Sequence, residues 1–333
     1  MTDRTLLVGI FNEAQRWSLS EAELDRLRAA VEGAGVRVAP VHTRHELLDR
    51  IDDAELLMGL PLADSQLVGR GGSLRLVQLV TPYAESLAPI ARVIGQGARV
   101  AGTAPIRAPA VAEHAVGLLL MMLRHLDDAV HAQASHQWAS AVIARSVHDL
   151  AGATVGLVDL GPVGVAIAER LAPFGCELVA TVADGAPTGP VARTLAPSSV
   201  DEVLGRSDVV ILADDRPGRM RPILDRALFE QLSPGALLVN VASGMAFTDR
   251  ELLRALRRGR LAGAALDVFE HRPLPATSPL WNAPDVLITP AVASASPSNW
   301  RRAVGVTVEN IRRFDADEPL LGEITLPVAA PVG

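Results

Sequence analysis

The alternation of short apolar runs with amphipathic stretches along the whole chain constrains the fold most strongly. This rhythm predicts strands at 5–11, 36–41, 55–60, 74–79, 99–102, 154–159, 177–181, 209–213, 236–241, 263–266 and 286–289, and helices at 21–35, 109–132, up to 174 and 297–314. The strongest βαβ unit begins at 154, where a turn containing Gly161 and Gly164 joins a strand to a helix. Such alternation is typical of α/β proteins with parallel sheets.

Length and composition agree with this fold class. The chain has 333 residues, which suits two α/β lobes of about 100 to 200 residues each. Apolar residues make up 49% of the chain and aromatic residues only 3%, so aliphatic side chains must fill the core. Such a core favours Val-rich parallel sheets flanked by helices over an all-β protein.

Charge and cysteine content exclude several functions. A net charge of −7 argues against a nucleic-acid surface, which needs clustered basic residues. All 31 basic residues are arginine, so Schiff-base chemistry on a lysine is excluded. Cys176 is the only cysteine, the N-terminus lacks the pattern of a signal peptide, and the longest apolar stretch, 115–123, is too short to span a membrane. We therefore expect a soluble, cytoplasmic protein that does not contact nucleic acid or membrane.

Four blocks of sequence, in the same order and spacing, resemble the D-2-hydroxyacid dehydrogenases, the family of phosphoglycerate and formate dehydrogenases. They are LAGATVGLVDLGPVGVAIAERLAPFG from Leu150, VAEHAVGLLLMMLR from Val111, LSPGALLVNVASG from Leu232, and AGAALDVFEHRPLP from Ala262 through LITPAVAS. The resemblance covers almost the whole chain. It implies two Rossmann-like lobes with a cleft between them: a nucleotide-binding lobe at 104–294 and a second, substrate-type (flavodoxin-like) lobe from 1–103 plus 295–333. It also implies a homodimer that pairs through the nucleotide-binding lobe.

The dinucleotide fingerprint of that family is incomplete here. Its three glycine places are Asp159, Gly161 and Gly164, so the two remaining glycines are vestigial cofactor-binding residues. A carboxylate about 4 Å from a diphosphate costs on the order of 4 kcal/mol at an effective dielectric of about 20. Pro162 offers no N–H to a phosphate, and Val182 stands where the family carries the acid that holds the ribose. We predict that NAD and NADP bind only weakly; the cofactor, if any, is unknown.

The family's catalytic residues are also replaced. The substrate-binding arginine is Ser243, the acid before the segment P-L-P is Arg272, and the histidine after T-P is Ala291. A 2-oxo acid reductase needs a cation for the carboxylate and a group that protonates the oxyanion. The retained residues are Asp267, which lies near the nicotinamide carboxamide in the family, and Glu113 with His114. For these three a structural role is the more probable interpretation.

Several replacements could support other chemistry. Arg107 and Arg272 would add positive charge to the cleft, and Ser243, Tyr83 or His271 could exchange a proton. Trp281 and Trp300 could line an apolar pocket. Each has a plain alternative: solvated arginines, a surface histidine, or tryptophans that only pack. We assign catalytic roles to Arg272, Arg107, Ser243, Tyr83, His271 and Asp267, assign no metal ligands, and expect an anionic small-molecule ligand.

Three hypotheses for function remain open from the sequence. The first is a cofactor-independent enzyme or binding protein that uses the old cleft for non-redox chemistry on a small organic molecule. The second is a pseudoenzyme that acts as a protein partner. The third is an NAD(P)-dependent oxidoreductase on a 2-hydroxy or 2-oxo acid with a rebuilt site.

Overall fold

The structure, a computed structural model, describes residues 4–12, 17–59, 70–80, 97–182, 189–213, 223–242 and 246–324. The chain divides into two compact units. Unit 1 consists of Met1–Ile106 and Ser296–Gly333, and unit 2 consists of Arg107–Ala295. Each unit is built around its own parallel sheet.

Unit 1 has a six-stranded sheet in the order β15-β7-β6-β5-β1-β4, in which only β15 is antiparallel to its neighbour. Its described elements are β1 (Arg4–Gly9), β2 (Phe11–Asn12), β3 (Trp17–Ser18), α1 (Glu21–Val31), β4 (Val36–Val41), α2 (Arg44–Arg50), β5 (Leu56–Gly59), β6 (Leu76–Leu79), β7 (Arg99–Ala101), α10 (Asn299–Asp315) and β15 (Glu323–Ile324), with a 3-10 turn at Ile51–Asp53. Successive residues of β1 alternate between two cores, because Leu6 and Val8 enter one and Leu7 enters the other. The central strand is therefore buried on both faces.

Unit 2 has a seven-stranded, all-parallel sheet in the order β10-β9-β8-β11-β12-β13-β14. Its elements include α3 (Ala104–Leu123, which begins in unit 1), α4 (Leu126–Ala134), α5 (Ser140–Ile143), β8 (Thr154–Val158), α6 (Pro162–Leu171), β9 (Glu177–Thr181), β10 (Arg193–Leu195), α7 (Val200–Arg206), β11 (Val209–Leu212), α8 (Arg226–Gln231), β12 (Ala236–Asn240), α9 (Asp249–Arg257), β13 (Leu261–Leu266) and β14 (Val286–Ile288), with 3-10 turns at Ala172–Phe174, Pro197–Ser199 and Pro279–Asn282. Helices cover both faces of the sheet, so its strands are nearly continuous apolar runs. The predicted α/β class with parallel sheets is confirmed.

The helix predicted at 109–132 was wrong at both ends. It begins at Ala104, so Pro109 lies inside α3 rather than at its start. Helix α3 ends at Leu123, and α4 follows after His125, whose φ of 48° is left-handed and breaks the helical path. Apolar periodicity continues across this break, and for that reason the pattern alone predicted one helix.

Helix α3 is long and apolar enough to cross a membrane by length and composition alone. Its longest uninterrupted apolar run, 115–123, is much shorter than the helix, and for that reason the sequence did not predict this. Its residues Ala112, Ala115 and Leu119 are completely buried in the core of unit 2. A core helix of a globular unit can have this composition, and 44% of the apolar window of α3 is buried.

A buried amide network joins the sheet of unit 1 to its last helix. The Asn310 Nδ2 donates to Gln78 Oε1 at 2.7 Å and to the Leu321 carbonyl at 3.2 Å. The Leu321 N–H donates in return to Asn310 Oδ1 at 2.7 Å. Asn310 and Gln78 are both buried, so these bonds replace water that neither side chain can reach.

Candidate functional site

The turn between β8 and α6 carries Gly161 and Gly164, two of the three glycine places of the dinucleotide fingerprint. Gly161 is the N-cap of α6, and Pro162 is its first residue. A Cβ on Gly164 would lie 2.2 Å from the backbone oxygen of Asp159, so only glycine allows the helix to approach the turn this closely. The close approach explains Gly164 without any cofactor.

Asp159 occupies the first glycine place in a left-handed conformation, with φ at 81°. Its side chain is buried, and its Oδ2 accepts a hydrogen bond from the Gly161 N–H at 3.2 Å. Its own N–H donates to Thr181 Oγ1 at 2.9 Å, at the end of the neighbouring strand β9. The carboxylate therefore lies across the N-terminus of α6, where the peptide dipoles favour negative charge.

These residues do not fit the diphosphate and ribose of a nicotinamide dinucleotide. The Gly161 N–H is already bonded to Asp159, and Pro162 has no N–H to donate. Val182, at the ribose place, is half-buried and packs against the core of unit 2, and its N–H donates to the Leu195 carbonyl. Residues 183–188, which include Asp184, lie outside the described residues.

Asp267 follows β13 and holds the segment that comes after β14. Its Oδ1 accepts from the Thr289 hydroxyl at 2.7 Å and from the Val292 N–H at 2.9 Å, and its Oδ2 accepts from the Ala293 N–H at 2.9 Å. The His114 Nε2 of α3 lies 2.9 Å from Thr289 Oγ1 and 3.4 Å from Asp267 Oδ1. His114, Thr289 and Asp267 therefore form a hydrogen-bonded cluster at the carboxyl ends of β13 and β14. These contacts agree with structural roles for Asp267 and His114.

Ala291, at the family's histidine place, lies within the segment that Asp267 holds. It has a left-handed φ of 57° and an exposed side chain. Its methyl group can neither accept nor donate a proton. Ser243 and Tyr83 lie outside the described residues, so their predicted roles stay predictions.

Arg272 and His271 lie in the loop after β13, and both are exposed. Asp249 lies at the start of α9, and burial and the negative charge of Glu270 raise its pKa. His271 partly opposes this rise. Arg107 lies in the first turns of α3 and is half-buried. The structure thus places both predicted cations in unit 2, on different elements.

Trp281 does line a cavity, but not at the end of the sheet where the fingerprint lies. The cavity has a volume of about 710 Å³ and is bordered by the residues that begin strands β11 to β14. The Trp281 Nε1 donates to the Pro275 carbonyl at 2.9 Å. Trp300 instead packs against the core of unit 1, as the plain alternative proposed.

Three side chains that carry metal-ligating atoms, not predicted from the sequence, border the same cavity. The ligand atoms of His125, Asp127 and Asp128 lie within 4.8 Å of one another. His125 Nδ1 is 3.0 Å from Asp128 Oδ2, so a direct hydrogen bond accounts for part of this grouping. The cluster alone does not assign a metal.

Thr289 and Thr181 hold residues of the candidate site in place, and neither was predicted from the sequence. Thr289 links His114 to Asp267, and Thr181 fixes the backbone of Asp159. A hydroxyl at the end of a strand was the available signal, but its partner depends on which strands become neighbours.

Comparisons with known proteins identify the class. The family model described as "D-isomer specific 2-hydroxyacid dehydrogenase, NAD binding domain" matches residues 116–293, which is more than half of the chain. The chain therefore belongs to the D-isomer-specific 2-hydroxyacid dehydrogenase family, as the sequence blocks predicted.

Individual relatives agree over most of the chain. The glyoxylate/hydroxypyruvate reductase A HPR2 of Arabidopsis thaliana is 28% identical over 266 residues, which cover 78% of this chain and 81% of that protein. A family protein from Aeromonas salmonicida has a TM-score of 0.75 at 27% identity, over 97% of this chain and 99% of that one. A family member from Xanthobacter autotrophicus Py2, solved with NADPH and MES, has a TM-score of 0.76 at 25% identity, over 98% of each chain.

Proposed function

We propose that this family member binds or transforms a small anionic organic molecule without transferring a hydride. It would act as a cofactor-independent enzyme, for example in isomerisation, cyclisation or elimination, or as a binding protein. The observation that carries the proposal is Ala291: the segment held by Asp267 presents a methyl group where the family's proton donor belongs. Without that donor, the alkoxide oxygen that forms when a hydride adds to the carbonyl carbon has no proton source at this place.

The charge preference follows from the arginines of unit 2. Arg272 stands where the family carries the acid that precedes the segment P-L-P. This position therefore has a planar cation with several hydrogen-bond donors in place of a carboxylate. Arg107 adds a second cation on α3. Charge-assisted hydrogen bonds of this kind are worth roughly 1.5 to 3 kcal/mol each, which favours a carboxylate or phosphate over a neutral ketone.

The ligand class is tested by calorimetry with oxalate, a small planar dicarboxylate. The wild type should bind oxalate, and Arg272→Glu should weaken binding by about tenfold or more, the equivalent of one lost charge-assisted bond. Arg226→Glu, at an exposed arginine in α8, is the matched control for the change of charge and should bind as the wild type does. If Arg272→Glu retains full binding and activity, the proposed site is wrong and the partner-protein hypothesis becomes the better one.

A rebuilt oxidoreductase is the second candidate, and the names of the relatives favour it. One relative is a glyoxylate/hydroxypyruvate reductase, and one similar structure contains NADPH. The two candidates differ in whether reduced cofactor is consumed. We expect no oxidation of NADH or NADPH at 340 nm with glyoxylate or hydroxypyruvate, whereas turnover near the usual range of about 1 to 10³ s⁻¹ would establish the reductase.

We further propose that the protein is a cytoplasmic homodimer that pairs through unit 2. Large apolar side chains are exposed on α4, α5 and the segment between them: Leu126, Val130, Trp138 and Val142. Trp138 is 93% exposed, which is unusual for an unpartnered tryptophan. The resemblance to the family implies that a second copy of the chain covers this apolar surface.

Light scattering tests the dimer. The wild type should have a dimer mass at micromolar concentration, and Trp138→Glu should shift the equilibrium towards monomer. Arg193→Glu, on the edge strand β10, is a control outside this surface. A monomer mass for the wild type would refute the proposal, and a dimer unaffected by Trp138→Glu would place the interface elsewhere.

A further inference from the structure

We infer that Asp159 is an internal anion that occupies the turn between β8 and α6, where the family binds the diphosphate, and that it prevents dinucleotides from binding there. Its carboxylate would take the backbone donor that an external diphosphate requires. The inference rests on the proposed function, because a protein without hydride transfer has no need of a nicotinamide cofactor. It goes further because it assigns the exclusion of dinucleotides to one side chain, Asp159, and predicts that substitution of this residue restores their binding.

The carboxylate lies directly over Gly161, the N-cap residue of α6. Besides accepting from the Gly161 N–H at 3.2 Å, Asp159 Oδ2 would be 2.8 Å from a Cβ at Gly161. The side chain therefore fills the space above this glycine, which the fingerprint keeps open for a phosphate. An external anion would have to displace the Asp159 carboxylate before it could reach the same N–H.

The neighbouring residue removes one further donor for a phosphate. The first turn of α6 begins with Pro162, which has no N–H. The Val165 N–H is already bonded to the Gly161 carbonyl within the helix. The Val163 and Gly164 N–H groups remain in this turn, where helical N–H groups lack intrahelical acceptors, so the Gly161 N–H is one of three backbone donors that the turn can offer to an anion.

The backbone of Asp159 adopts a left-handed conformation that is unfavourable for a residue with a side chain. A φ of 81° is a conformation that favours glycine, and the bond from the Asp159 N–H to Thr181 Oγ1 fixes it there. The turn is thus already in the conformation that a glycine would adopt. Removing the side chain should open the turn without rearranging its backbone.

The test compares D159G, D159N and D208N in the full-length protein. D159G removes the internal anion and completes the glycine fingerprint. D159N removes the charge but keeps an oxygen that can accept from Gly161. D208N is the matched control, because Asp208 is an exposed carboxylate that accepts from the Thr154 N–H at the other end of β8.

Calorimetry with NAD, NADP and inorganic pyrophosphate provides the measurement. We expect D159G to bind at least one of the dinucleotides and pyrophosphate at least tenfold more tightly than the wild type. D159N should gain less than D159G, and D208N should match the wild type. Thermal melting followed by circular dichroism checks folding, and if D159G does not fold, a gain of about threefold in D159N supports the inference, whereas no gain contradicts it.

Three results would overturn the inference: D159G binding no more tightly than the wild type, D159N gaining as much as D159G, or low-micromolar binding of a dinucleotide by the wild type. The second result would mean that charge repulsion, rather than occupation of the donor, excludes the cofactor. None of these titrations depends on turnover. If D159G gains nothing and the wild type also reduces no 2-oxo acid, this inference fails while the proposed function stands.

Discussion

Asp267→Ala should destabilise unit 2 strongly, because this carboxylate bonds two backbone N–H groups and one hydroxyl. Hydrogen bonds to a charged group are worth about 1.5 to 3 kcal/mol each, and a buried donor left unsatisfied costs about 1 to 3 kcal/mol. The Ala293 N–H is buried, whereas Val292 is 42% exposed and water can partly replace its bond. We therefore expect a loss of about 3 to 4 kcal/mol, a large fraction of a typical stability of about 5 to 15 kcal/mol.

Hydrogen exchange resolves this effect locally, and urea unfolding followed by circular dichroism measures it globally. The Val292 and Ala293 amides should exchange roughly 10²- to 10³-fold faster in Asp267→Ala, the equivalent of about 3 to 4 kcal/mol. Thr289→Val removes one of the three bonds to Asp267 together with the bond between Thr289 Oγ1 and His114 Nε2, and it should cost about 1 to 2 kcal/mol. Asp149→Ala, at an exposed ion pair with Arg124, should change stability by less than about 0.5 kcal/mol. An effect of Asp267→Ala no larger than that of Asp149→Ala would refute the structural role.

Three further predictions concern stability. Asn310→Leu should destabilise unit 1 by about 2 to 4 kcal/mol in urea unfolding, because it leaves buried amide partners without hydrogen bonds. Gly156→Ala should cost about 1 to 3 kcal/mol, since its Cβ would lie 2.4 Å from Ser207 Oγ; an unchanged midpoint would show that the site relaxes. The side-chain bond from Arg312 lowers the pKa of Glu309 to about 2, so its contribution is present above the unfolded pKa and is lost as pH falls through about 2. Glu309→Gln should melt below the wild type at pH 6, and a difference that persists below pH 2 would contradict this assignment.

The fold was largely predictable from the sequence, because burial on both faces of a parallel sheet produces apolar runs that stand out from amphipathic helices. Strands such as β8 and β11 were predicted to within one residue. The break at His125 was not predicted, since a left-handed residue leaves the apolar pattern unchanged. Local periodicity therefore determines the elements better than their ends.

The candidate site was predictable in composition but not in contacts. The motif around Asp159 indicated a misplaced negative charge, yet its bond to Gly161 depends on the rotamer and on the conformation of the turn. Asp267 was identified through the resemblance, but its role depends on backbone N–H groups that the sequence does not display. Which groups meet at the ends of strands is decided by sheet order, so it requires the tertiary structure.

Transfer of deuterium from labelled cofactor is the most direct test of the central claim that this chain does not transfer a hydride. The wild type, in excess over substrate, is incubated with NADH or NADPH carrying deuterium at C4 of the nicotinamide and with glyoxylate or hydroxypyruvate. Mass spectrometry of the hydroxy acid then detects even a single turnover. We predict no deuterium in glycolate or glycerate above the level found without protein, and stoichiometric labelling of either product would contradict the account.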